Sequence, residues 1–312
     1  MKELKRLLYL FSLVLVIAAC GGDGDDDGGG NDGGNGNVNK NNVNRNIVIN
    51  EKAVGRLEFP RLKGGNSKVL VYRVTDNSSY DKDRVNYCVE WDCDKKSQRW
   101  SCYQLHKGYG GGYSRVIEGY LFDTNLKAGE YWDRDYFYGS GFDHGHICPN
   151  ADRMYSYSAN YQTFYLTNMQ PQYRKFNGYS NKGDDQGEGL WVRLENKVRT
   201  YTPHSASDTL YVCKGGTIDR EDYIISRIQG KQIVPRYFFM ACLKKQGSEY
   251  AAVGFWMEQK NEWATNANLG DYAVTIDKLE ELTGIDFFCN LPDDIENKVE
   301  RSFGRNFWGL QN

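Results

Sequence analysis

Only four histidines occur in the 312 residues, and two of them stand two positions apart in Gly141-Phe142-Asp143-His144-Gly145-His146. In an extended segment alternate side chains share a face, so His144 and His146 point one way and Asp143 the other. Gly139, Gly141 and Gly145 leave backbone room for a large ligand to approach. Three readings of the pair compete. Both imidazoles can hold a metal such as zinc, one can act as a general base beside a polar helper, or the two can be ordinary polar residues in a turn.

The next stretch of chain bears on that choice. Ile147-Cys148-Pro149-Asn150-Ala151-Asp152-Arg153 is followed by Thr163-Phe164-Tyr165-Leu166-Thr167-Asn168-Met169-Gln170-Pro171-Gln172, then by Lys175-Phe176-Asn177-Gly178, then by Leu190-Trp191-Val192-Arg193-Leu194-Glu195. This ordered series resembles the DNA/RNA non-specific endonuclease family. The family pattern runs D-R-G-H, P-x-A-D-R, S/T-N-M-x-P-Q, a later asparagine and W-x-x-L-E around a ββα-metal site. The resemblance spans about Ser140 to Glu195 and continues more weakly through Val234-Pro235-Arg236-Tyr237-Phe238 and Leu282 to Phe288.

Carried over residue by residue, the resemblance implies that His146 is the general base and Asn177 the ligand of Mg²⁺, with Mn²⁺ able to substitute. It places Glu195 near the metal waters, Asn168 in the catalytic set and Arg153 in or beside the substrate site. DNA and RNA are the implied substrates, with 5′-phosphate products. Two departures from the pattern stand out. His144 replaces the arginine of D-R-G-H, so a weaker imidazole contact takes the place of a guanidinium fork on phosphate. Thirteen residues, 178–190, separate Asn177 from Trp191, where the pattern has only a few. That insertion is glycine-rich and acidic; it can loop out, and it offers Asn181, Asp184 and Asp185 as rival ligands.

These residue types suit phosphodiester hydrolysis. An imidazole with an unperturbed pKa near about 6.5 can take a water proton at neutral pH. A hard Mg²⁺ held by one amide oxygen keeps most of its waters, and a nearby carboxylate can orient them. Arg153, Arg174, Lys175 and Arg193 are the cations closest in sequence, and phosphate contacts position a substrate without reading bases. Two other functions stay open. One is a zinc hydrolase using both His144 and His146; the other is an inactive relative serving as a surface binding lipoprotein.

The elements that must position these residues are legible in outline. Val69–Val74, Tyr165–Thr167, Leu210–Cys213, Tyr237–Cys242 and Tyr250–Trp256 read as strands. Trp191, Leu194 and Val198 form one face of a helix over about 189–200. Asp277 with Glu280 reads as a capping box for a second helix, with Ile276, Leu279 and Leu282 inward and Gly284 as the stop. Strands without a βαβ rhythm predict an α+β fold, a mainly antiparallel central sheet flanked by helices.

The rest of the chain speaks to location rather than chemistry. Residues 1–19 carry a basic start and an apolar run ending Ile17-Ala18-Ala19-Cys20, which resembles a bacterial lipoprotein signal with Cys20 as the acylated residue. Residues 20–46 then form a Gly/Asp/Asn tether, and 47–312 one folded domain. Gly21 after the cysteine and acidic Asp23, Asp25, Asp26 and Asp27 point to an outer-membrane lipoprotein exposed at the cell surface. The formal charge of −2 gives nucleic-acid binding no support. The first 37 residues hold three positive and six negative side chains, leaving the remainder near +1. Seven cysteines lie beyond Cys20; Cys88, Cys93 and Cys102 are expected to hold one local disulfide, and the odd count leaves a covalent dimer open.

Overall fold

The computed structural model describes residues 42–311 apart from 49, 77–80 and 184. The signal segment, Cys20, the tether up to residue 41 and Asp184 lie outside the described residues. In chain order the strands are β1 (Ser67–Arg73), β2 (Val85–Asp92), β3 (Ser97–Leu105), β4 (Asp143–His146), β5 (Met169–Gln172), β6 (Tyr179–Lys182), β7 (Asp185–Glu188), β8 (Thr209–Gly216), β9 (Ile224–Ile228), β10 (Gln232–Pro235), β11 (Tyr237–Gln246), β12 (Glu249–Glu258) and β13 (Ala273–Val274). The helices are α1 (Tyr157–Gln162), α2 (Arg174–Asn177), α3 (Leu190–Arg199), α4 (Ile276–Thr283) and α5 (Asp293–Glu300).

Seven strands form one antiparallel sheet in the order β1-β2-β3-β8-β11-β12-β13. The fold is therefore α+β around an antiparallel sheet, as the strand pattern predicts. Side chains alternate across it. Phe238, Met240 and Cys242 of β11 enter one core layer, whereas Phe239, Ala241 and Leu243 enter the other. Helix α3 covers the first layer with Trp191, Leu194 and Val198; α4 and α5 cover the second with Ile276, Leu279 and Val299. Strands β4 and β5 pair in a separate ribbon that leads into α2 and α3 on the first side.

Several expectations need correction. Tyr165–Thr167 is not a strand: Leu166–Asn168 make a 3₁₀ turn, closed by the Asn168 amide on the Tyr165 carbonyl at 2.9 Å. Strands β2 and β3 escape sequence reading because their buried positions include Asn86, Glu90, Gln98 and Arg99. Arg99 is balanced by Asp92 at 2.8 Å and Asp219 at 2.9 Å, so charge pairing replaces the usual apolar alternation. Thr275, not Asp277, caps α4 by accepting from the Lys278 amide, while Gly284 ends it in the left-handed conformation as expected. Within residues 42–46, assigned to the tether, Val43 and Arg45 are exposed, but Asn42, Asn44 and Asn46 are hydrogen-bonded to the folded part. Asn44 donates to Glu296 at 2.9 Å, and Asn46 is buried with its amide on the Pro60 carbonyl at 2.9 Å.

All seven described cysteines are free and buried. Cys88 faces Cys102 across β2 and β3, and Cys102 faces Cys213 across β3 and β8. Cys93 packs on the opposite side of the sheet, away from the other two, and Cys88 and Cys102 lie side by side as free thiols, so the expected local bridge is absent among the described residues. With every described thiol buried as a small apolar group, none of them is placed at the surface to link two copies.

Trp191 is the keystone of the α3 contact, 1% exposed, with ring centroids 5.9 Å from Phe176 and 5.3 Å from Phe238. Trp191→Ala is expected to cost about 3–5 kcal/mol, read from the urea midpoint. A loss below about 1 kcal/mol would show that α3 does not depend on this packing.

Candidate active site

Strand β4 sets both histidines on one side, where Tyr120 meets them. The Tyr120 ring stacks on His144 with centroids 3.7 Å apart and lies 6.1 Å from His146. Phe137 closes the other face of His144 at 4.2 Å, and its Nε2 is bound to Asp135 Oδ2 at 2.7 Å. His144 is thus locked in an aromatic sandwich with its outer nitrogen engaged. That arrangement does not fit the expected phosphate contact, nor a zinc ligand shared with His146.

His146 is held differently. Phe164 packs edge-on at 5.4 Å, and the imidazole hydrogen-bonds to the His144 main chain. Its Nε2 is out of contact with solvent and has no hydrogen-bond partner among the described residues. Burial pushes its pKa down to about 3, reinforced by Arg115, His144 and Lys214. The site therefore keeps a neutral imidazole with a bare nitrogen lone pair, an arrangement that a water molecule would complete.

Glu195 projects from α3 into a chain of charges. Its Oε1 accepts from Lys214 Nζ at 2.6 Å, and its Oε2 lies 3.5 Å from Arg199. Arg199 in turn donates to Asp152 at 2.6 Å, and Asp152 accepts from Tyr103 at 3.0 Å. Lys214 is fully buried, and its ammonium also sits 4.5 Å from the centre of the Trp191 ring. It follows Cys213 on β8, and strand alternation turns it toward α3. Glu195 and Arg199 stand one turn apart on α3, but Lys214 holds the shorter contact.

Asn177 ends α2 and donates from Nδ2 to Asp143 Oδ2 at 3.2 Å. Among the described residues its Oδ1 meets no donor, which leaves one neutral oxygen of the kind a hard divalent ion accepts. The insertion does not disturb it. Strands β6 and β7 pair antiparallel, and the Gly189 amide binds the Gly178 carbonyl at 2.7 Å, so both ends of the insertion close at one point. Gly189 must lack a side chain, because a Cβ there would overlap the Phe176 carbonyl oxygen. Asp185 pairs with Lys175 at 2.8 Å and with the Trp263 indole at 3.0 Å, while Asn181 stands exposed on the hairpin. Neither joins the Asn177 oxygen.

The remaining candidates divide. Asn168 is fully buried; its amide binds the Cys148 amide at 2.8 Å, the Cys148 carbonyl at 2.9 Å and the Thr163 carbonyl at 2.9 Å. Its polar atoms are consumed in fixing the chain beyond β4, so it positions rather than reacts. Arg153 is buried against Tyr103 at 4.5 Å and donates to the Asp152 carbonyl, which removes it from any phosphate. Arg193 donates to the Ala264 carbonyl and lies 3.8 Å from Glu188, tying α3 to the 264 loop. Arg174 remains exposed.

Two cations were not legible as site residues. Lys214 sits in a strand far along the chain, and no local spacing links it to Glu195. Arg115 lies in a loop at φ +47°, its amide on Asn150 Oδ1, with its guanidinium 5.5 Å from the Phe164 ring centre. That backbone conformation costs about 1–2 kcal/mol in a non-glycine residue. It carries the cation that, after burial, does most to depress the His146 pKa.

Residues 66–294 match the family model of DNA/RNA non-specific endonucleases. The chain belongs to this family. It is 28% identical over 226 residues to a protein named Nuclease from Nostoc sp., covering 69% of this chain and 75% of that one. Similarity to mitochondrial endonuclease G of Bos taurus is 26% over 225 residues, covering 67% and 69%. The mitochondrial nuclease of Saccharomyces cerevisiae is 30% identical over 172 residues, covering 51% and 49%. A solved structure of the EndoG/EndoGI complex superposes with TM-score 0.58 at 18% identity, covering 80% of this chain and 96% of that chain. That likeness supports the ββα-metal type of fold. Membership makes the chain a hydrolase of the endonuclease class, in a family whose members depend on metal, and it gives nucleic acid as the substrate.

Because Gly189 sets the distance between α2 and α3, Gly189→Ala should displace Asn177 relative to Glu195. We expect roughly a hundredfold loss of kcat/KM with an unchanged circular dichroism spectrum. Full nuclease activity in this variant would show that the hairpin closure does not set the site.

Proposed function

We propose that this nuclease cuts DNA and RNA without marked sequence preference, uses Mg²⁺ with Mn²⁺ as a substitute, and leaves 5′-phosphate ends. The observation that carries the reading is the buried Nε2 of His146, unpartnered among the described residues and within the electrostatic reach of Lys214, which is itself paired with Glu195. In this reading His146 Nε2 removes the proton of the attacking water. Asn177 Oδ1 would hold the metal, which when bound would supply Lewis-acid charge stabilisation for phosphodiester cleavage. Glu195, fixed by Lys214 and Arg199, orients water through the lone pairs of Oε2. Arg115 stands in for the missing arginine of D-R-G-H as the phosphate-facing cation, a role its strained loop and its influence on His146 support. Phosphate contacts of this kind carry no base information, which accounts for loose specificity.

Cys20 and the preceding apolar run support a lipid anchor, and the acidic tether supports display at the outer-membrane surface. Metabolic labelling with palmitate, lost in Cys20→Ala, tests the anchor. Protease shaving of intact cells tests exposure, and an untouched protein would refute it.

The decisive assay incubates the purified protein with plasmid DNA and with RNA, in Mg²⁺ or in EDTA. Both substrates should be degraded only with Mg²⁺, and His146→Ala should lose about 10²–10⁴-fold in rate. Failure to cut with any divalent ion would favour the inactive binding relative.

The pH profile gives an independent check. His146 acts when deprotonated, and its depressed pKa keeps it so as pH falls through the ordinary imidazole range. The kcat/KM value should therefore hold between about pH 7.5 and 5.5 with respect to this group. An acid limb centred at about 6.5 or higher would contradict a buried His146 as the base.

A further inference from the structure

A second group of ligating side chains lies on the opposite side of the sheet, under α4 and α5. Asp277 and Glu280 stand three residues apart on α4, and Glu296 and Glu300 four apart on α5, so each pair shares a helix face. One carboxylate oxygen each from Asp277, Glu280 and Glu300 lies within 4.8 Å of the others. Two oxygens bound to one Ca²⁺ at about 2.4 Å can be at most about 4.8 Å apart, so this spacing is compatible with a single shared ion.

A cluster of acids alone would prove little, but Glu300 adds a separate observation. Its side chain is turned inward, only 8% exposed, and its Oε1 is sealed from solvent with no hydrogen-bond partner among the described residues. A carboxylate oxygen in that position has given up its hydration and received nothing in return. The neighbours do not compensate. Glu280 accepts the Phe287 amide at 2.7 Å, and Asn44 donates to Glu296 and Asp286. Lys278 pairs outward with Glu281 at 2.8 Å, and Arg61 acts on Asp286. Burial and mutual repulsion push Glu280 up to about 8 and Glu300 up to about 9.

We propose that Asp277, Glu280 and Glu300 form a second divalent-cation site, for an oxygen-preferring ion of the calcium class, that clamps α4 to α5. It is separate from the nuclease centre, because α4 and α5 pack on the core layer opposite the one that holds Trp191 and Ile147. Its three donors are carboxylates, with no imidazole or thiolate to favour a transition metal. The role is structural: the ion ties the C-terminal helices to each other, and Asn44 extends the clamp to the start of the folded chain. Nothing in it depends on the nuclease reading.

The test is thermal unfolding of the purified full chain after EGTA treatment, titrated with CaCl₂ and, in parallel, MgCl₂, with calorimetric titration of the same samples. Calcium should raise Tm by about 5 °C at a hundredfold excess over its dissociation constant. The rise should persist in Asn177→Ala, which alters the nuclease centre, and disappear in Glu300→Gln. Asp277→Asn provides a second variant at an exposed position that the core does not need, and it should lose the rise while keeping nuclease activity. No calcium-dependent shift in the unaltered protein would overturn the proposal. So would a shift that survives both cluster variants, or one lost in Asn177→Ala but kept in Asp277→Asn.

Discussion

A fully buried lysine stands behind the reactive face of this protein. Lys214 leaves β8 toward α3, and its ammonium is satisfied by Glu195 at 2.6 Å and by the face of Trp191. A lone ammonium at that depth would be prohibitive, and removing one partner of such a pair costs about 3–5 kcal/mol. The pair therefore fixes the rotation of α3 over the sheet. Through Arg199 it reaches Asp152, and through Asp152 it reaches Tyr103 of β3, so one run of charges joins helix, sheet and the segment after β4.

The position of His146 follows from that frame and from Asn168. The Asn168 amide fastens Cys148 and Thr163, and the β4–β5 ribbon holds the histidine between Tyr120 and Phe164. Gly145 is needed within the ribbon because a Cβ would overlap the Gln172 side chain. Little of the imidazole's environment is polar, and the nearby charges are cationic, so the ring stays neutral with its Nε2 unused. The hairpin insertion leaves this intact because its ends meet at the Gly178–Gly189 bond. Its charge is spent on Lys175 and Trp263 instead of on a metal ligand.

The two faces of the sheet answer to opposite electrostatics. On the α3 side, cations balance Glu195 and Asp152 one for one. On the α4–α5 side, carboxylates gather with far less compensation, and Glu300 has an oxygen that meets no donor among the described residues. Strand alternation makes this separation stable, since neighbouring residues of β11 feed different layers and the charges do not mix.

The motifs between Asp143 and Glu195 were sufficient to bring His146, Asn177 and Glu195 into view, because local spacing and residue chemistry travel with the chain. Helix α3 was legible because its apolar residues repeat at the helical period, and strands β8, β11 and β12 because they form short, nearly continuous apolar runs. Strands β2 and β3 were not, because buried charges such as Arg99 and Glu90 are satisfied only by partners elsewhere in the sheet and loops. Arg153 and Asn168 looked like site residues, and tertiary packing made them supports by consuming their polar atoms. Arg115 and Lys214 looked like nothing in particular until folding placed them beside His146 and Glu195. Residue types and local spacing were enough for the candidate reactive groups and the class of fold. Which cations stand next to those groups emerged from packing alone, because an ion pair across strands depends on register and burial, neither of which is written in local spacing.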